Sequence, residues 1–247
     1  MFPIINLGPL SMPSAPLILL LAFWAGSALA ERKASAVPGR GDAVEKILWS
    51  ALLAVLIGGR ISFIARHPAA FQGALLSIFS LNPALLDPQG GILVSLAVSY
   101  YLTAKQGISP LELLDSLVPF FAVMVPAMAL ARFANGSGFG TATALPWGIE
   151  IWGASRHPVQ LYYAAAGLAV LAYTIIRPAT SASGREFLRF LLLTSGYLTF
   201  LSAFQEPAGS LLGGFRVFQL VYWSLFCASI LINYRILEIS THEPAKR

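Results

Sequence analysis

Seven apolar stretches set the terms for what this chain can become: Leu10–Ala30, Ile47–Ala65, Gly90–Ala104, Leu111–Ala134, Pro158–Ile176, Phe187–Phe204 and Val217–Ile236. About 20 apolar residues wound as a helix cross the hydrocarbon core of a bilayer. In lipid the backbone must satisfy its own hydrogen bonds, which leaves helices or closed barrels. Runs this long and unbroken are helical rather than alternating, so the chain is expected to be an all-α integral membrane protein, a bundle of about seven transmembrane helices in a single transmembrane domain over residues 1–247. Composition agrees: 57% of residues are hydrophobic and only 11% charged, where soluble domains carry about 25% charged residues. The third run is short and is expected to borrow residues at its ends. Segments 66–89 and 135–157 are only moderately polar. They are expected to be partly structured outer-face loops holding short helices, hairpins or re-entrant pieces.

Nothing before Glu31 is charged, and positive charges follow the first run at Arg32, Lys33, Arg40 and Lys46. That order reads as an N-out anchor rather than a cleaved signal peptide. With N-out and C-in topology, eleven Lys and Arg fall on the inner side and three (Arg66, Arg156, Arg216) on the outer side, as the positive-inside rule requires. The net charge of +5 is scattered between apolar runs, which argues for topology and against nucleic acid. The single Cys227 excludes an intrachain disulfide and a Cys-rich metal site. No metal or other cofactor is expected.

Two arginines fall inside predicted spans, Arg60 in "LIGGRISF" and Arg132 in "MALARFANGSGFG". An arginine at membrane depth faces the bundle interior and seeks an anion, and a phosphate suits its fork. The alternative is that each snorkels to the interface or forms a structural ion pair. "NGSGFG", Asn135–Gly140, breaks the fourth span with three glycines; it is either a close-approach loop for a ligand or an ordinary helix stop. Ser137 with His157 would make an intramembrane serine protease only if the two side chains touch. Gln89-Gly90-Gly91 opens the third span, where paired glycines point first to close helix packing. In "SRHPVQLYY", Pro158 suits a first helical turn, and Arg156 and His157 stand at a helix entrance that favours anions. Tyr197 lies in mid-span and needs a hydrogen-bond partner. Gln205, Glu206 and Gln219 add further polar groups near the outer ends of the last two spans. Polar groups thus gather in the outer half, with no internal repeat and no midplane acid of the kind a transporter would show.

These motifs, in order, resemble the prolipoprotein diacylglyceryl transferase family. "NLGPLS" is similar to its opening, "LIGGRISF" to its Gly-x-Arg element, and "QGGILVSLAVSYYLTAKQGISPLELLD" to its third span and following loop. "FANGSGFG" followed by "LPWGI" resembles its Asn-Gly signature. "RHPVQLYYA" resembles its Arg-His-Pro-x-Gln-Leu-Tyr-Glu-Ala string, and "VFQLVYW" the start of its last span. The resemblance implies a bacterial inner-membrane enzyme that moves diacylglyceryl from phosphatidylglycerol, or a related anionic phospholipid, to the cysteine of a preprolipoprotein lipobox. It implies Arg60 and Arg132 as phosphate ligands, Asn135 and Tyr197 as glycerol-orienting groups, Gln89 and Arg156 as further headgroup contacts, and His157 either as a structural residue of its string or as the fallback base beside Arg132.

The departures from the family pattern are specific. Gln89 stands where the family has a histidine, and an amide cannot take a thiol proton. An ungapped match puts the family's signature arginine on Ala129 and its first asparagine on Arg132; a three-residue deletion puts them on Arg132 and Asn135. Ser137 and Tyr163 replace glutamates, and Leu201 replaces an arginine. The second expectation is therefore a catalytically degenerate relative that binds lipid or acts as a scaffold.

Overall fold

The computed structural model describes residues 4–7, 10–71, 73, 77–78, 85–151, 153–177, 183–206, 211–212 and 215–242. Among them are seven α-helices: α1 Ser14–Ala34, α2 Arg40–Arg66, α3 Pro88–Lys105, α4 Pro110–Ala134, α5 Val159–Ile176, α6 Arg185–Leu201 and α7 Val217–His242. Three two-stranded antiparallel hairpins accompany them: β1 Ile4–Leu7 with β2 Leu10–Pro13, β3 Ile149–Ile151 with β4 Ala154–Arg156, and β5 Leu211–Leu212 with β6 Phe215–Arg216. By length and composition, six of the helices are able to cross a membrane. The exception is α3, the run expected to be short. Its 18 residues include Pro88, Gln89, two glycines and Lys105, which dilute its apolar content. The first span begins four residues later than the hydropathy pattern predicts, because β2 occupies the start of that run.

The chain forms two compact units, residues 30–116 and residues 1–29 with 117–247. In the first, α2 and α3 meet through glycines. A Cβ on Gly91 would stand 2.6 Å from the Val55 carbonyl oxygen, one on Gly59 3.1 Å from that of Asp87, and one on Gly58 2.6 Å from Val94 Cβ. The paired glycines thus serve backbone packing. Asp87 caps α3: its Oδ1 accepts from Gln89 N (3.2 Å), its Oδ2 accepts from Ser62 Oγ (2.5 Å) and pairs with Arg66 Nε (3.3 Å), and its own N–H donates to the Gly59 carbonyl (2.9 Å). The Ser62 hydrogen bond, joined by the Arg66 charge and backbone N–H groups, outweighs desolvation and holds the carboxyl below its usual range. At the start of α4, Ser109 and Glu112 form a capping box (Glu112 N to Ser109 Oγ 3.3 Å, Ser109 N to Glu112 Oε2 3.4 Å), and Arg40 pairs with Glu112 at 3.2 Å.

In the other unit, the apolar faces of α4, α5 and α6 make two clusters. One holds Val118, Ala122, Val170 and Phe190, with Phe121 and Phe187 beside it. The second holds Ala129, Val159, Tyr163 and Ala164, with Leu198, Leu201 and Phe204. On α5, Gly167 admits the ring of Pro126, whose Cβ would be 3.1 Å from any Cβ added there. Within segment 135–157, residues 140–143 run beside the β3–β4 hairpin as an extended strip. Gly140 N donates to the His157 carbonyl (2.9 Å), Thr143 N to Ser155 (2.8 Å), and Thr141 N to the Phe204 carbonyl beyond α6 (2.9 Å). The hairpin and strip meet the requirement that polar backbone near lipid find partners within the protein. Large apolar side chains such as Trp24, Leu93, Ile176 and Phe218 are exposed on the helix surfaces, as lipid-facing residues are in a membrane protein.

Candidate functional site

The end of α4 is shaped by its sequence. Gly136 takes φ +70°, its N–H donates to Phe133 (3.0 Å), and Ser137 N donates back to the Arg132 carbonyl (2.9 Å). That is a Schellman stop with glycine where only glycine sits without strain. It turns the chain so that Gly138, at φ +79°, lies against the Arg132 side chain; a Cβ there would be 2.5 Å from Nη2. Arg132 is thereby held over a glycine with no side chain between guanidinium and backbone.

Beside it is a cavity of about 190 Å³, room for about six waters. Arg132, Gln160, Tyr163, Gln205 and Tyr222 supply its polar lining. Val125, Met128, Ala129 and Leu198 supply its apolar walls. Arg132 is the one charged residue in that lining and makes no ion pair with an acid among the described residues. Nearby, Arg216 Nη1 donates to the Ser202 carbonyl (2.8 Å). On α5, Gln160 and Tyr163 are three residues apart and share a face. Gln160 is 2% exposed, and its Nε2 donates to the Ser137 carbonyl at 2.7 Å. Its Oε1 is buried with no hydrogen-bond partner among the described residues. Tyr163 Oη donates to Gln205 Oε1 at 3.4 Å, a long contact. A cavity with apolar walls, one guanidinium, phenols and amides is suited to an anionic headgroup joined to acyl chains.

The other residues singled out by the sequence have these places. Asn135 follows the last residue of α4 and precedes the Gly136 stop, exposed, with its N–H on the Ala131 carbonyl (3.0 Å). Tyr197 packs against both apolar clusters, and its hydroxyl is buried without a partner among the described residues. Arg156 pairs with Glu206 at 2.5 Å and reaches the Gly140 carbonyl. His157 has Nδ1 3.2 Å from Tyr162 Oη, which accepts from Trp147 Nε1 (2.8 Å), and its ring lies edge-on to Phe204. None of these four lines the cavity. Ser137 Oγ donates to the Arg132 carbonyl (3.3 Å), so Ser137 and His157 form no dyad.

Two expected residues belong to the unit of residues 30–116. Arg60 forks onto backbone: Nε donates to Ile78 O (2.8 Å), Nη1 to Leu85 O (3.0 Å) and Nη2 to Ser77 O. Its guanidinium also lies 5.6 Å from the Phe71 ring centroid. Gln89 is exposed in the first turn of α3. Among the described residues, no group of three His, Cys, Asp or Glu is placed to hold a metal ion.

A profile of the prolipoprotein diacylglyceryl transferase family matches residues 3–235. The chain belongs to the prolipoprotein diacylglyceryl transferase family. It is a multi-pass membrane protein of that family, similar to several phosphatidylglycerol–prolipoprotein diacylglyceryl transferases. That of Solidesulfovibrio magneticus is 32% identical over 65% of this chain and 63% of its own length. Those of Nitratidesulfovibrio vulgaris and Dechloromonas aromatica are 30% identical (64% and 62%) and 28% identical (88% and 87%). The chain thus spans under two thirds of the first and second of these relatives and most of the third. Within the family frame, the ungapped and gapped placements of the signature arginine fall on one wall, since Ala129 and Arg132 both line the cavity.

Gln160, Tyr163, Gln205 and Tyr222 are site residues that the sequence motifs do not single out. The available signal was the i, i+3 spacing of Gln160 and Tyr163 at the start of an apolar helix. Tyr222 carried none, because its approach depends on how α7 packs.

Proposed function

We propose that this protein is a phosphatidylglycerol-dependent diacylglyceryl transferase of the bacterial inner membrane, N-out and C-in, acting on the lipobox cysteine of a preprolipoprotein. The observation that carries the reading is Arg132: a guanidinium with no acidic partner among the described residues, seated on Gly138 at the edge of a cavity with apolar walls. It holds the donor phosphate, and the acyl chains leave along the apolar side. In the transfer, the cysteine sulfur attacks the diacylglyceryl carbon bonded to the phosphate oxygen. The C–S bond forms as that C–O bond breaks, and glycerol phosphate departs with the electron pair. Arg132 stabilises the charge that grows on it. The thiol proton goes to His157, whose Nδ1 lies 3.2 Å from Tyr162 Oη. Asn135 and Tyr197 orient the glycerol. Arg156 shapes the entrance through Glu206, and Arg60 and Gln89 are the headgroup contacts proposed for the unit of residues 30–116.

A second reading is favoured by one observation. Among the described residues, the cavity lining contains no imidazole, carboxylate or thiol, so the same site would serve a relative that binds anionic lipid without turnover. One experiment separates the two. Purified protein is incubated with phosphatidylglycerol and a lipobox peptide, and mass spectrometry reads the diacylglyceryl mass on the cysteine. Product in wild type that is lost in Arg132→Ala supports the transferase. Copurifying lipid without product, lost in Arg132→Ala, supports the binder.

A further inference from the structure

Gln160 is buried on the cavity wall with its amide half used. Nε2 donates to the Ser137 carbonyl at 2.7 Å, and Oε1, equally buried, has no hydrogen-bond partner among the described residues. Amide orientation is set by chemistry here: the Ser137 carbonyl requires a donor, so the oxygen must be the unmatched atom. A buried amide oxygen left unpaired is unfavourable, and a ligand that brings a donor relieves it.

We infer that Gln160 Oε1 is the headgroup-selecting acceptor of this cavity, reading a hydroxyl carried on the far side of the lipid phosphate. The inference rests on the anionic-lipid reading above. Arg132 takes the phosphate, which every anionic phospholipid has, and reads its charge rather than the group beyond it. Gln160 reads that group, because a terminal phosphate without a glycerol substituent offers Oε1 no alcohol. A hydroxyl suits the site better than an ammonium, since Arg132 lines the cavity and, among the described residues, no acid does. A cationic headgroup would meet like charge with no counterion. Gln160 is a specificity residue touching the headgroup, not a proton-transfer group, since an amide does not titrate.

The test is native mass spectrometry of the full-length detergent-purified protein with equal phosphatidylglycerol and phosphatidic acid of the same acyl chains, and separately with phosphatidylethanolamine. Wild type is expected to prefer phosphatidylglycerol over phosphatidic acid by roughly three- to tenfold, the range of one hydrogen bond to a buried neutral acceptor, and to retain phosphatidylethanolamine least. Gln160→Met removes donor and acceptor and should erase the preference while phosphatidic acid stays bound, which also reports folding. Gln160→Glu keeps an acceptor but loses the donor to Ser137; it should keep the preference for phosphatidylglycerol over phosphatidic acid. If Met and Glu lose it equally, Gln160 only braces the Ser137 turn and the inference falls. It also falls if wild type shows no preference while Arg132→Ala weakens both anionic lipids, an outcome that leaves the anionic-lipid reading standing. If wild type holds neither anionic lipid, or Arg132→Ala changes nothing, that reading falls and the inference with it.

Discussion

Replacing Gly138 with alanine should disable the site through a neighbour, leaving every headgroup-binding side chain chemically intact. Gly138 sits at φ +79°, and an added Cβ would stand 2.5 Å from Arg132 Nη2 and 3.0 Å from its Cζ and Nε. Ordinary contact between such atoms is about 3.5 Å, so the guanidinium must retreat by about 1 Å. A charged N–H···O bond of about 2.8 Å to a phosphate would then lengthen to about 3.8 Å, beyond hydrogen-bond range. Losing one such bond forfeits about 1.5–3 kcal/mol, or roughly a 10- to 100-fold loss in lipid affinity. The left-handed backbone adds about 1–2 kcal/mol of destabilisation for any residue with a Cβ. Gly153 isolates that second effect: it has φ +73° and nothing within 4 Å of where its Cβ would stand. Gly138→Ala and Gly153→Ala should therefore lower the melting temperature alike, while only Gly138→Ala weakens phosphatidylglycerol binding. The readouts are thermal melts in detergent and native mass spectrometry of bound lipid. Equal binding loss in both variants, or wild-type binding by Gly138→Ala, would refute the reasoning.

Other tests probe the unit of residues 30–116 and the chemistry. The Asp87 carboxyl is held low by Ser62 and Arg66, so its folded value lies below the unfolded value of about 3.9. Its contribution is therefore fully present above that pH and lost as pH falls through the folded value. Asp87→Asn should lower the melting temperature at pH 7 and flatten its decline below about pH 4 relative to wild type, as thermal melts across pH would show. Arg60→Lys cannot reproduce a fork onto the carbonyls of Ser77, Ile78 and Leu85. Losing two of these bonds should destabilise by about 1–3 kcal/mol, seen in denaturation. Glu206→Gln removes a carboxylate, 44% exposed, that meets Arg156 at 2.5 Å; a loss of up to about 1 kcal/mol is expected in the same assay. His157→Gln should abolish peptide lipidation yet retain bound lipid, because His157 does not line the cavity.

The helices were legible because their signal is local. Apolar runs of span length, Pro158 at a helix start, and the glycines of Asn135–Gly140 at a helix stop all act through neighbouring residues, and each of the seven runs is a helix whose ends fall within seven residues of the predicted ones. The packing role of the Gly90-Gly91 pair was equally readable. The site was not. Arg60, Arg132, Arg156 and His157 looked alike in sequence, as costly polar groups near a membrane surface. Tertiary contacts separate them: Arg60 meets three carbonyls, Arg156 meets Glu206, His157 meets Tyr162, and Arg132 meets a glycine and a cavity. The partners lie up to 50 residues away in the chain, and Tyr222 reaches the cavity from a helix with no marker of its role. Hydropathy and turn chemistry act over a few residues and determine where helices begin and end. Which charged group is left without a protein partner depends on long-range packing, and only the tertiary structure decides it.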